Sequence, residues 1–173
     1  MKKIASMLAL LAFALIFMTI PGFAAEKMSS KTFIKKASSL NIGEINAAKQ
    51  ALDKTNSSEV RDFAKRMIDD HTSANQELAK LADQKKLQDK MSEHADAKSQ
   101  ANSLKLKVMS GKSFDKAYIK SQVDAHQETI KIFRQEAEQG QDSDLKAFAK
   151  KMLPTLEEHL KMANDLNNKL QQE

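Results

Sequence analysis

The chain has no cysteine, so a disulfide, a thiolate metal site and a cysteine nucleophile are all excluded. Tryptophan is also absent, and the aromatic content is only 5%, with no interleaving of aromatic and basic residues. That composition, in a chain that carries an export signal, makes nucleic acid a poor partner. There are 4 glycines and 2 prolines in 173 residues, so the turns and breaks of an all-β or loop-rich fold are missing. No Gly-rich phosphate loop, HExxH or Ser-His-Asp signature is found, and an enzyme is the less favoured reading. No alternating β-pattern is present to build a barrel.

Ala, Leu, Lys, Gln and Glu dominate instead. These residues lose little freedom in a helix, and the expected fold is all-α. Lys2 and Lys3 precede an uncharged run from Ile4 to Ile20. Pro21 and Gly22 then break the run, and Gly22 and Ala24 put small residues at the −3 and −1 positions of a cleavage site. Residues 1–24 read as a secretory signal peptide and 25–30 as a polar leader. The expected address is the periplasm. The alternative is an inner-membrane anchor through uncleaved residues 4–20, with the remainder still facing the periplasm.

The whole chain has a formal net charge of +5, of which the leader accounts for Lys2 and Lys3. Residues 85–120 hold nine lysines against four acids. This stretch reads either as a weak contact with an anionic envelope surface or as a solvated linker and helix face. The sequence leaves the oligomeric state open.

Hydrophobic periodicity places four long helices at about 31–54, 57–86, 114–139 and 143–170. A connector, 87–113, holds a short helix near 97–109. Ser30, Asn56 with Glu59, Ser113 and Asp142 are the expected N-terminal caps. Gly111 is expected to end the short helix. Together these elements predict an antiparallel four-helix bundle over 31–171, built from two αα-hairpins joined by the long connector. VRDFAKRM (60–67) and LKAFAKKM (145–152) match each other, which suggests a duplicated hairpin. Pro154 lies inside the last helix and predicts a kink there.

The buried seam of each helix contains one titratable residue. The rows are Phe33, Ala37, Leu40, Glu44, Ala47, Ala51; Val60, Ala64, Met67, His71, Ala74, Leu78, Leu81; Ile119, Val123, His126, Ile130, Phe133, Ala137; and Phe148, Met152, Leu156, His159, Ala163, Leu166, Leu170. Counted from the helix starts, Glu44, His71, His126 and His159 fall within about one turn of a common level. One carboxylate and three imidazoles suit zinc, copper, iron or manganese. Asp70, Asp124, Glu128 and Glu158 lie beside them and could orient imidazole N–H groups. Met67 and Met162 are close enough in sequence to add thioethers, which would favour Cu(I), or simply to fill the core. The competing reading of the four residues is a hydrogen-bonded polar layer that fixes register in a non-catalytic, stress-related or structural envelope protein that binds a partner. His94, in the connector, reads as incidental.

FIKKASSLNIGE (33–44), VRDFAKRMIDDH (60–71), SFDKAYIKSQVDAH (113–126) and LKAFAKKMLPTLEEH (145–159) together resemble domain of unknown function 4142, a family of exported bacterial proteins with a ferritin-like bundle. The resemblance implies the bundle and the periplasmic address and no settled activity. Ferritin-like di-iron proteins carry Glu-x-x-His on two helices. Here Ile68 and Leu156 stand three residues before His71 and His159, which argues against a standard di-iron centre.

Overall fold

The computed structural model describes residues 27–172. The sequence-predicted signal peptide, 1–24, lies outside them. The described chain is all-α. It comprises α1 (Ser30–Lys54), α2 (Ser58–Gln84), a 3-10 turn (Gln88–Lys90), α3 (Ala97–Lys107), α4 (Gly111–Gln139) and α5 (Ser143–Gln172), with no strand among the described residues. α1 packs on α2 and α4 on α5, each as a hairpin closed by a short turn. Contacts of α1 with α4 and of α2 with α5 complete a ring of four long helices. α3 crosses outside the ring against α1 and α4.

Side-chain chemistry at the helix ends moves several boundaries from where the sequence suggests. The cap of α1 is Ser29 rather than Ser30, because its hydroxyl accepts from the Thr32 amide. Ser57, not Asn56, caps α2 through the Val60 amide. Glu59 does not fold back into a capping box, since its carboxylate pairs with Lys169 of α5. α2 stops at Gln84, short of the expected 86. Lys86 adopts φ +54°, and the amides of Leu87 and Lys86 reach the carbonyls of Ala82 and Asp83. That is a Schellman closure, which returns Leu87 to the core. Gly111 does not end α3, which finishes at Lys107; it opens α4 with φ +56°, a conformation that glycine adopts without strain. Ser113 therefore lies inside α4 and donates back to the Ser110 carbonyl. Asp142 caps α5 by accepting from the amides of Asp144 and Leu145, both at 3.0 Å. α5 runs on through Pro154.

The core has two apolar compartments. One contains Phe33, Ile34, Leu78, Phe133, Leu145, Phe148 and Leu156. Its three phenylalanines meet with ring centroids 5.3–6.4 Å apart. The other contains Val60, Phe63, Met67, Leu106, Phe114, Tyr118, Ile119 and Leu170. Between them, at the middle of every long helix, lies a buried polar layer of Asn41, Glu44, His71, Gln122, His126, Thr129 and His159.

The connector is fastened to α1 at both ends. Ser38 accepts from the Ser92 amide and Ser39 donates to the His94 carbonyl. At the far end Lys54 donates to the carbonyls of Leu106 and Met109, and Gln50 to that of Ser103. Gly43 permits this close approach, because a Cβ there would stand 2.6 Å from Ser99 Oγ and 2.7 Å from its Cβ. Gly43→Ala is expected to cost about 1–3 kcal/mol by overpacking. Ser99→Gly should restore most of that loss, and urea midpoints of the two single variants and the double variant measure the coupling.

Candidate metal centre

His71, His126 and His159 stand on α2, α4 and α5 at the level where the apolar stripes are interrupted. His71 lies between Met67 and Leu78, His126 between Ile119 and Ile130, and His159 between Leu156 and Ala163. All three are at most 4% exposed. Their ring centroids form a nearly equilateral triangle with sides of 5.6, 5.5 and 5.4 Å. One nitrogen from each lies within 4.8 Å of the other two. Donors around a tetrahedral ion with bonds of about 2.0–2.1 Å sit roughly 3.4 Å apart, so small ring rotations close the set.

One nitrogen of each imidazole is engaged in a hydrogen bond. His71 Nδ1 meets Asn41 Oδ1 at 2.9 Å. His126 Nδ1 meets the Gln122 carbonyl oxygen at 2.9 Å. His159 Nε2 meets the Asp70 carboxylate at 2.8 Å. All three partners are acceptors, so in the neutral imidazoles these outer nitrogens carry the proton. The remaining nitrogens, His71 Nε2, His126 Nε2 and His159 Nδ1, keep bare lone pairs and have no partner. Three buried imidazoles grouped in this way could hold a metal ion.

Glu44 stands apart from this set. It is buried, with His126 and Gln122 acting on its carboxyl, and it lines a cavity; the mutual 4.8 Å grouping comprises the three histidines without it. Of the four flanking acids, Asp70 contacts an imidazole. Asp124 pairs with Lys120, Glu128 with Lys98, and Glu158 with Arg66. The other two orienting groups, Asn41 and the Gln122 backbone, escaped the sequence reading. Asn41 is one turn before Glu44 and Gln122 one turn before His126, and polar residues on a buried face were the available signal. Met67 is fully buried in the second apolar compartment, and Met162 packs against it. His94 is exposed, and its carbonyl is the group that is used. Within the basic stretch, Lys85 pairs with Asp142 and Asp144 across the gap from α2 to α5.

Burial holds the His71 imidazole well below its usual range, and the charges of His126 and His159 push the same way. His159 is lowered to about 4, mainly by burial and against the opposing bond to Asp70. Burial raises Glu44, opposed by His126 and by its bond to Gln122. These shifts make stability pH-dependent. Well above the ordinary imidazole pKa of about 6.5, His71 and His159 are neutral in both folded and unfolded chains. As pH falls toward 4 the unfolded chain takes up protons that the folded chain refuses, so stability is lost across that window. For His159 alone the loss is roughly 3 kcal/mol at about 1.4 kcal/mol per pKa unit. Glu44 acts oppositely, favouring the fold below its raised pKa, and offsets part of this loss. Urea unfolding of chelator-treated protein at pH 7, 5.5 and 4 should show the decline, and a flat profile would contradict neutral buried imidazoles.

Residues 19–166 match the family model described as Domain of unknown function (DUF4142). The chain is a member of the DUF4142 family. No curated protein matches the sequence. Among solved structures, one described as a secreted protein of DUF305 from Streptomyces coelicolor superposes on this DUF4142 chain with a TM-score of 0.71. It is 18% identical, and the match covers 82% of this chain and 94% of that one. The likeness concerns the helical fold. No described helix of the DUF4142 chain is long and apolar enough to cross a membrane.

Proposed function

We propose that this protein is exported and binds one transition metal ion through His71, His126 and His159. The grouping of three buried imidazoles with one nitrogen of each within 4.8 Å, in rings that each keep one nitrogen without a partner, carries this reading. An all-imidazole donor set suits zinc or copper better than manganese, which prefers carboxylates. Three protein ligands leave a position for a solvent molecule or a fourth donor. Sequestering or buffering metal outside the cytoplasm requires nothing further of the chain. Export is supported by the basic start, the apolar run and the small residues before Ala25, and by the description of the structural neighbour as secreted.

Competition titrations with zinc and copper(II) against a chromophoric chelator test the reading. One ion per chain is expected, with copper(II) bound more tightly than zinc. Asp70→Asn should weaken binding about 10- to 100-fold, because the carboxylate that holds the His159 N–H is lost. The proposal fails if wild-type protein and a variant with all three histidines replaced bind equally.

A further inference from the structure

A cavity of about 850 Å³ opens between α1, α4 and the connector strap. That size is typical of small-molecule sites. Its inner end is polar and buried. Glu44 and Gln122, 5% and 2% exposed, line it there. Glu44 Oε2 and Gln122 Oε1 remain without partners. Both are acceptors, and a buried acceptor left unpaired is destabilising. The inner end therefore favours a group that donates hydrogen bonds. Leu40, Ala47, Ala125 and Ile132 supply apolar lining. Lys31, Lys35 and Lys36, exposed on the first turns of α1, line the outer part. Of the other acids in the lining, Asp124 and Glu128 pair with Lys120 and Lys98, and Asp96 accepts from the Lys98 and Ser99 amides and the Ser99 hydroxyl. The outer part thus favours a negative charge. At roughly 1.5 Å per residue, Glu44 and Lys36 are about 12 Å apart along α1, and a lysine side chain shortens that span.

We propose that this cavity binds a small zwitterionic organic molecule, with an amino group at Glu44 and Gln122, an apolar body, and a carboxylate or phosphate facing Lys31, Lys35 and Lys36. The site is distinct from the histidine triangle and does not depend on metal binding.

The test is calorimetric titration of chelator-treated protein with 8-aminooctanoate, whose charged ends flank a hydrocarbon chain of suitable length. Octylamine and octanoate each lack one end. Saturation at one site is expected, with both controls at least about tenfold weaker. Glu44→Leu should abolish the advantage over octanoate. Replacing Lys31, Lys35 and Lys36 by Ala should abolish the advantage over octylamine. Circular dichroism melts confirm that each variant is folded, and the lysine variant, altered only at exposed positions, keeps the test valid if Glu44→Leu does not fold. No saturation by the probe overturns the proposal. Equal binding of all three compounds also overturns it, because it indicates a purely apolar occupant.

Discussion

His126→Leu should weaken metal binding by at least about 100-fold while leaving the metal-free protein more stable than wild type by about 1–2 kcal/mol. The first effect follows from removing a ligand, since loss of an orienting partner alone costs about 10- to 100-fold. The second follows from the bare Nε2 lone pair, a buried acceptor without a partner. An unsatisfied group of this kind costs on the order of 1–3 kcal/mol, and leucine of similar volume removes it. The bond from Nδ1 to the Gln122 carbonyl is also lost, but that carbonyl lies within α4 and keeps its place in the helix ladder. Urea melts with chelator present and competition titrations measure the two quantities. This variant separates a metal site from a register-fixing polar layer. A layer that fixed register would lose stability on substitution and leave metal affinity unchanged. A gain in stability together with loss of metal indicates that the histidines are retained at a cost to the fold.

Phe33→Ala is expected to cost about 3–5 kcal/mol, the largest stability loss from a single apolar truncation here. Phe33 is fully buried, meets Phe133 edge-on at 5.3 Å and lies 6.4 Å from Phe148. These rings join α1 to the α4–α5 hairpin, and the surrounding compartment has few ways to collapse into the gap. At about 2–4 °C per kcal/mol for a chain of this size, the thermal midpoint should fall by on the order of 10 °C. Leu104→Ala is the control. Leu104 is 63% exposed on α3, and its truncation should stay within about 0.5 kcal/mol. A Phe33→Ala loss below 1 kcal/mol would mean that the aromatic cluster is not a packing centre.

The helices and their inward faces were legible because the apolar spacing is regular and the turns are short and polar. Registers through Met67 and Leu78, or through Leu156 and Ala163, put His71 and His159 on the core side from spacing alone. Glu44 shows where that reasoning reaches its limit. It occupies the same seam of α1 as Ala37 and Ala47 and is acted on by His126, yet it lines the cavity and lies outside the mutual 4.8 Å grouping of the imidazoles. Periodicity gives a residue's face and height. It does not give the few ångströms by which a long side chain selects one neighbour over another. Asp124, Glu128 and Glu158 illustrate the same limit. Each is adjacent to a seam position, and each is drawn outward by a cation on its own or a neighbouring helix. The caps moved for a related reason, because in a run such as Thr55-Asn56-Ser57-Ser58 several side chains can reach the same amide. Asn41 could not be recognised from α1 alone, since its role exists only once α2 brings His71 beside it.

The crossover is tied to α1 by Ser38, Ser39, Gln50 and Lys54, so those two elements form one wall of the cleft and α4 the other. α4 is held in turn by its packing on α1 and α5, where Phe133 meets Phe33 and Phe148. The same helix carries Gln122 and His126, so a single rod both lines the cleft and supplies one corner of the imidazole triangle.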